Sequence, residues 1–222
     1  MEPSSTLPCV YQVRVVLQGI SPLIWRRLLI RSDMSLATLH AALQIAFAWS
    51  DEHLHAFCIH GKEYGCARVG GPSFDDDPRH VPLVALRLHQ GERFPYVYNF
   101  IDDWVCDLRL EAIVPLEPRR IYPVCTGGKR AAPPEDGGGA WAYLQRVDRH
   151  HVPIDAMASI ATALERLLKA DDQTTIRQVI GDQETFQEAV DQLDAYLQLQ
   201  PEHFDRRDVN IRLRTLVQQE GT

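Results

Sequence analysis

The fold is decided near the start of the chain by residues 11–31, YQVRVVLQGISPLIWRRLLIR. Two runs of alternating side chains, residues 11–18 and 24–31, flank a turn that contains Gly19 and Pro22. Side chains two residues apart on a β-strand point to the same face, so this alternation indicates half-buried strands. Two such strands joined by a short turn predict a β-hairpin.

The hydrophobic period changes after the hairpin. Apolar residues recur at helical spacing from Leu36 to Phe47, and Ser35 precedes them as a candidate N-cap, so a helix is predicted there. A strand is predicted over residues 53–60, followed by a loop rich in Gly, Asp and Pro. Further short strands are predicted over residues 83–88, 94–101 and 104–114.

The last third of the chain contains amphipathic helical patterns. They run over residues 157–168 and 186–197, and a helix is also favoured over 208–219. The order of elements predicts an α+β fold with a mixed or antiparallel sheet, an early hairpin–helix–strand (β-grasp-like) layout and a helical C-terminal part. The predicted domains are a flexible tail (1–8), an α+β core domain (9–150) and a helical C-terminal extension packed on the core (151–222).

Composition limits the classes of function. The chain has 222 residues, of which 45% are hydrophobic and 24% charged, and its net charge is −7. Its apolar runs are shorter than the roughly 18 residues needed to span a bilayer, and its first residues lack a signal-peptide pattern. We therefore expect a cytoplasmic protein without membrane contact. The negative charge disfavours nucleic acid as a partner, so a protein partner is favoured.

The word His53-Leu54-His55 is the first candidate for chemistry. On a strand both imidazoles face the same side and could bind one divalent metal such as zinc, with Asp51, Cys66 or residues 75–77 completing the ligands. The favoured alternative is that one histidine packs in the core and the other is exposed. The candidate metal ligands are His53, His55, Cys106 and Cys125. The odd number of cysteines and their spacing argue against a disulfide framework.

The second candidate is the loop Pro133-Pro134-Glu135-Asp136, which precedes three glycines. Such a stiff loop can position Glu135 and Asp136 as hydrogen-bond acceptors, metal ligands or a general base. It can equally be a structural crossover whose acids cap a helix at Trp141. Asp102 is the third candidate catalytic residue. We expect one of these acids, or Asp103, to bond to His53 or His55.

Asp102 follows a segment, residues 96–101, in which aromatic side chains alternate. Such a face can stack on a base or a peptide, but it is more often part of the core, which we favour here. The common hydrolase, kinase, nucleotide-binding and metalloprotease motifs are not found. The sequence therefore favours a non-enzymatic binding or accessory module, with no firm cofactor. The alternative is a metal-assisted or acid–base hydrolase that uses the His-Leu-His strand and the Pro-Pro-Glu-Asp loop.

Three sequence words also resemble a known family. These motifs are Trp25-Arg26-Arg27, WSDEHLHAF at 49–57 and PPED at 133–136. Through them the chain resembles the plasmid pRiA4b open-reading-frame-three-like family. Its members are also described as insertion-element passenger or resolvase-like proteins. The resemblance implies a fold and a plasmid or mobile-element context, but no reaction.

The sequence departs from the family pattern at three places. Residues 99–102 read Asn-Phe-Ile-Asp where the family usually has Asp-Phe-Gly-Asp. Cys106 stands where the family tends to have His, and Gly137 stands where it tends to have Cys. If the family builds a metal or thiol site from those groups, this chain lacks part of it.

Overall fold

The computed structural model describes residues 8–65, 74, 76–149, 152–170, 180–198 and 200–220. Almost all of the predicted flexible tail, residues 1–7, lies outside this part of the chain. The strands are β1 (Val10–Leu17), β2 (Trp25–Arg31), β3 (His55–Ile59), β4 (Lys62–Gly65), β5 (Arg93–Tyr98), β6 (Trp104–Val114) and β7 (Val124–Lys129). The described α-helices are α1 (Leu36–Phe47), α2 (Gly139–Asp148), α3 (Ile154–Leu168), α4 (Gln183–Gln198) and α5 (Arg206–Glu220).

The strands form one sheet in the order β4-β3-β5-β6-β1-β2-β7, and its ladders are antiparallel. The predicted hairpin is present, since β1 pairs with β2 from Val10 opposite Arg31 to Val16 opposite Trp25. The predicted strand over 104–114 coincides with β6. The α+β prediction is therefore confirmed, with a hairpin, a helix and a return strand at the start of the fold.

Three segments differ from the sequence prediction. The predicted strand over 83–88 is a 3-10 helix, Leu83–Leu86, which begins after Pro82 and ends at Arg87 in the left-handed conformation. The fixed φ of proline and the burial of Leu83 and Leu86, three residues apart, favour this short helix over a strand. Conversely, the sequence does not predict β4, which is only four residues long, or β7, whose sequence VCTGGK contains two glycines and little alternation.

Helix α1 begins where the sequence predicts. The Ser35 side chain accepts a hydrogen bond from the Thr38 amide, and the helix ends at Ala48, whose backbone is left-handed. Its C-terminus is fastened to β2 by Arg26, whose Nε donates to the Ala46 carbonyl at 2.7 Å. Arg26 is 2% exposed, so it lies on the core side of β2, whereas Trp25 is half-buried. Burial lowers the pKa of Arg26 to about 10.

The chain divides into two compact units, one within Met1–Leu144 and Glu202–Thr222 and the other within Gln145–Pro201. The first contains the sheet, α1 and α5. In the second, α3 and α4 pack against each other. The predicted single extension, 151–222, is divided in the structure, because α5 belongs to the unit that contains the sheet. Contacts between α5 and β7 explain the difference, and sequence periodicity gives no sign of them. Among the described helices, none is both long and apolar enough to cross a membrane.

Candidate metal centre

Three side chains with metal-binding atoms meet beside α1. They are His40 on the helix, Asp51 just after it and His55 at the first residue of β3, and one ligand atom of each lies within 4.8 Å of the others. The two imidazole rings stack, with their centroids 3.5 Å apart and an angle of 13° between their planes. Both histidines are buried, but the Asp51 side chain is 55% exposed. The group therefore lies where the core meets the solvent.

Local structure explains how these residues meet. His40 is followed one helical turn later by Gln44, and both are buried on the side of α1 that contacts Tyr96 of β5. After the helix ends at Ala48, Asp51 takes a positive φ of 63°, which turns the chain back toward the sheet. β3 then begins at His55, which lies opposite Tyr98 of β5.

A chain of hydrogen bonds runs from Gln44 through Tyr96 to His40 and Asp51. The Gln44 amide Nε2 donates to the Tyr96 hydroxyl at 2.8 Å, and in one arrangement of the protons that hydroxyl donates its own proton to His40 Nδ1, also at 2.8 Å. The other ring nitrogen, Nε2, then carries the imidazole proton and donates to Asp51 Oδ1 at 2.8 Å. Burial holds the pKa of Tyr96 well above its ordinary value, so the hydroxyl keeps the proton that it donates.

The same network has a second arrangement that exposes a metal ligand. Among the described residues, the buried Gln44 Oε1 has no hydrogen-bond partner. If the Gln44 amide rotates by half a turn, Oε1 accepts the Tyr96 proton and the Tyr96 oxygen accepts from His40 Nδ1–H. His40 Nε2 then presents its lone pair. Two imidazoles and a carboxylate are a common set of protein ligands in zinc sites that keep one position open.

The predicted acidic loop is held next to this group by aromatic side chains. The indole Nε1 of Trp49 donates to the Pro133 carbonyl at 3.0 Å. The Trp104 indole and the Asn99 amide donate to the Glu135 carbonyl at 2.8 and 3.0 Å. Trp49 and Trp104 are buried, so their indole N–H groups need acceptors that the apolar core does not provide. The carbonyls of the loop are those acceptors.

The Glu135 carboxylate is engaged as a hydrogen-bond acceptor. It receives the Ser50 amide at 3.0 Å and the Tyr98 hydroxyl at 2.5 Å, and Ser50 is the residue before Asp51. Burial raises the pKa of Glu135, but the hydrogen bonds from Ser50 and Tyr98 outweigh burial, and the net shift is downward. Glu135 is therefore ionised at neutral pH and positions the turn that carries Asp51.

The other two predicted acids lie in the same region. Asp136 Oδ1 is 2.8 Å from His53 Nε2, a close contact that lacks the alignment of a hydrogen bond. At His53 the acid is therefore in close contact where the sequence predicts a hydrogen bond. Asp102 Oδ2 accepts from the Gly138 amide at 2.8 Å, immediately before α2. The His-Leu-His strand and the acidic loop therefore meet, which the sequence left open.

The predicted cysteine ligands lie elsewhere. Cys106 is fully buried on β6, and burial raises the pKa of its thiol. Cys125 is buried on β7, its thiol donates to the Gly127 carbonyl at 3.3 Å, and burial raises its pKa as well. Of the four predicted metal ligands, the group of three contains His55 but not His53, Cys106 or Cys125. Two other sequence candidates, Cys66 and Asp75, lie outside the described residues.

His40 was missed as a site residue. One signal was available in the sequence, because His40 and Gln44 are two polar residues one helical turn apart beside the apolar positions of α1. Of the alternating aromatic residues at 96–101, Tyr96 and Tyr98 are fully buried and form part of the core, as predicted, whereas Phe100 is 40% exposed because β5 ends at Tyr98.

Fold and side chains together describe an α+β protein with a candidate site for a divalent metal. The chain belongs to the family of plasmid pRiA4b ORF-3-like proteins, whose model matches residues 9–166. It is 29% identical over 137 residues to the uncharacterized protein y4hQ of Sinorhizobium fredii, covering 61% of this chain and 70% of the relative. The crystal structure of MM3350, a protein of unknown function from Methanosarcina mazei Go1, is similar with a TM-score of 0.64 and 29% identity, covering 91% of this chain and 97% of that one.

Proposed function

We propose that this protein is a binding module that holds a divalent metal ion such as zinc at His40, Asp51 and His55. The observation that carries the proposal is that one ligand atom of each residue lies within 4.8 Å of the other two. Zinc bonds to imidazole nitrogen and carboxylate oxygen at about 2.0–2.2 Å, so an ion between these atoms requires the stacked imidazole rings to rotate until their lone pairs converge. The reversible hydrogen-bond network behind His40 supports the proposal, because it can supply the lone pair that a metal needs.

The proposed ion has a structural consequence that suits a binding module. Its ligands come from α1, from the turn after α1 and from β3, so the ion would join three segments of the first unit. The family takes its name from a plasmid open reading frame, which supports an accessory role in plasmid or mobile-element biology. We propose a protein as the macromolecular partner, in line with the net charge of −7.

A metal-assisted hydrolase is the second candidate function. It is favoured by the 55% exposure of the Asp51 side chain, since an ion bound there would keep a side open to water. Zinc lowers the pKa of a bound water to about 7 and so supplies a nucleophile at neutral pH. The ionised Glu135 carboxylate, bonded to Ser50 beside Asp51, is the proposed acid–base group.

Metal content and zinc titration test the proposed site. Full-length protein purified without an affinity tag, then stripped with a chelator, is titrated with zinc against a chromophoric competitor. We expect about one zinc per chain, and a loss of affinity of more than about a hundredfold in Asp51→Asn and His55→Gln, because loss of a direct ligand costs more than loss of an outer-shell partner. His89→Gln is the matched control, since the His89 side chain is 86% exposed. Equal zinc affinity in Asp51→Asn, His55→Gln and the parent would refute the site.

The zinc-loaded protein also separates the two candidate functions. Hydrolysis of p-nitrophenyl acetate and bis(p-nitrophenyl) phosphate is compared between the parent and Asp51→Asn. A zinc-dependent rate that Asp51→Asn abolishes would establish the hydrolase. Stoichiometric zinc binding with no rate above that of free zinc would favour the binding module.

A further inference from the structure

A cationic groove lies on the far side of the first unit from the sheet edge β4, between α5 and the segment that leads into β7. Two adjoining cavities of about 420 and 350 Å³ share the lining residues Arg120, Asn210 and Arg214. Together their walls carry five arginines: Arg119, Arg120, Arg206, Arg207 and Arg214. We call this feature the arginine groove. Its concentration of positive charge contrasts with the net charge of −7 of the whole chain.

Most of this charge is not neutralised within the protein. Arg120 pairs with Glu117, and Arg206 donates to the Thr126 carbonyl at 3.1 Å. In the part of the chain that the structure describes, no carboxylate oxygen lies within 4.0 Å of the guanidinium nitrogens of Arg119, Arg207 or Arg214; Arg207 donates only its backbone amide to the Asp205 carboxylate, at 2.7 Å. Like charges held together in one concavity raise each other's energy, and a bound anion relieves this repulsion.

The groove is held in a fixed shape by contacts that the site near α1 does not use. The Asn210 side chain accepts the Cys125 amide at 2.8 Å and donates to the Cys125 carbonyl at 2.9 Å, and so fastens α5 to the edge strand β7. Before α5, the Phe204 ring covers the guanidinium of Arg26 at 4.0 Å. A Cβ at Gly128 would lie 2.4 Å from the Phe204 ring, so this close approach requires glycine. The arginines are therefore presented on a rigid base.

We propose that the arginine groove binds a phosphate monoester the size of a mononucleotide. Guanidinium groups bind phosphate oxygens through paired, charge-assisted hydrogen bonds, and small ligands occupy cavities of about 300–1,000 Å³. The second cavity is also lined by Ile121 and Pro123, which offer apolar surface to the organic part of the ligand. The phosphate belongs either to a free nucleotide or to the 5′ end of a nucleic-acid strand. This proposal is independent of the proposed metal site.

Binding to the full-length protein is measured by calorimetry at constant ionic strength, with chloride replaced by the probe. The probes are inorganic phosphate, adenosine 5′-monophosphate, adenosine, and a single-stranded DNA dodecamer with or without a 5′-phosphate. We expect saturable binding of phosphate and of the monophosphate but not of adenosine. If the 5′-phosphate lowers the dissociation constant of the dodecamer by about tenfold, the result supports the site and identifies the end of a nucleic-acid strand as the source of the phosphate. Monophosphate binding with no such preference supports the site and identifies the free nucleotide.

The matched variants are Arg214→Gln and Arg212→Gln, which make the same change two residues apart on α5. Arg212 does not line either cavity of the groove. Its guanidinium pairs with Asp208 at 2.9 Å. We expect Arg214→Gln to weaken monophosphate binding by about tenfold and Arg212→Gln to leave it within about twofold. Arg207→Gln provides a second test should Arg214→Gln melt at a lower temperature than the parent. The proposal would be overturned if neither phosphate nor the monophosphate bound saturably. It would also be overturned if Arg214→Gln and Arg212→Gln lost monophosphate affinity equally.

Discussion

Replacement of Tyr96 by phenylalanine tests the hydrogen-bond network on which the candidate site depends. The change removes one oxygen atom from a fully buried side chain and leaves the ring in place. That oxygen accepts from Gln44 Nε2 and donates to His40 Nδ1, both at 2.8 Å. A buried polar group that loses its partner costs about 1–3 kcal/mol. Two such groups predict a decrease of roughly 2–6 kcal/mol in the free energy of unfolding, a large share of the 5–15 kcal/mol typical of a domain.

Urea denaturation followed by circular dichroism and tryptophan fluorescence measures this loss, with chelator present so that metal does not contribute. Tyr11→Phe is the matched control, because Tyr11 is also buried but no hydrogen bond of its hydroxyl is found among the described residues. We expect Tyr11→Phe to change the free energy of unfolding by less than about 0.5 kcal/mol. A loss in Tyr96→Phe as small as that of the control would refute the network as described.

Three further predictions follow from other contacts. The hydrogen bonds of Glu135 hold its pKa below the ordinary 4.5, so they stabilise the fold above that pH and the stabilisation is lost as the pH falls through the folded pKa. Urea denaturation between about pH 6 and 3 should therefore show that the difference in unfolding free energy between Glu135→Gln and the parent becomes smaller in acid. A difference that stays constant over this pH range would contradict the prediction. In the same assay, Gly139→Ala should lower the free energy of unfolding by at least about 1 kcal/mol more than Gly91→Ala. Both glycines have positive φ, but a Cβ at Gly139 would lie 2.7 Å from the Asp102 carbonyl oxygen, whereas a Cβ at Gly91 would meet nothing within 4 Å beyond its chain neighbours. Arg26→Met should lower the unfolding free energy by roughly 2–4 kcal/mol, because buried carbonyls lose their donor, and a neutral result would show that the guanidinium is dispensable.

The parts of the fold that the sequence predicts are those set by local periodicity. Alternation around the first turn predicts the hairpin, and the helical spacing after Ser35 predicts α1, because each pattern repeats over a whole element. Strand β7 could not be found in this way. Its residues pair with β2, far away in the sequence, and its glycines at 127 and 128 are needed where the Trp25 and Phe204 rings approach.

The candidate site was predictable only in part, because its residues come from separate segments. His53 and His55 attract attention since they are two residues apart, yet the structure places them with different partners, Asp136 and His40. The meeting of His40 with Asp51 depends on the point where α1 ends and on the left-handed turn after it. Neither of these meetings can be predicted from the spacing of residues in the sequence. The acidic loop and the His-Leu-His segment do lie together, as the sequence allowed.

The aromatic core explains why the acidic loop and the turn that carries Asp51 lie together. Tyr98, Trp104 and Trp49 bury large rings, and each directs one polar atom at the loop of residues 133–136, because a buried hydroxyl or indole N–H needs an acceptor. The Glu135 carboxylate, which accepts the Tyr98 hydroxyl, also accepts the Ser50 amide and so fastens the turn to the loop. The position of Asp51 therefore follows from the packing of the core, and a loop distant in sequence positions the exposed ligand of the proposed metal site.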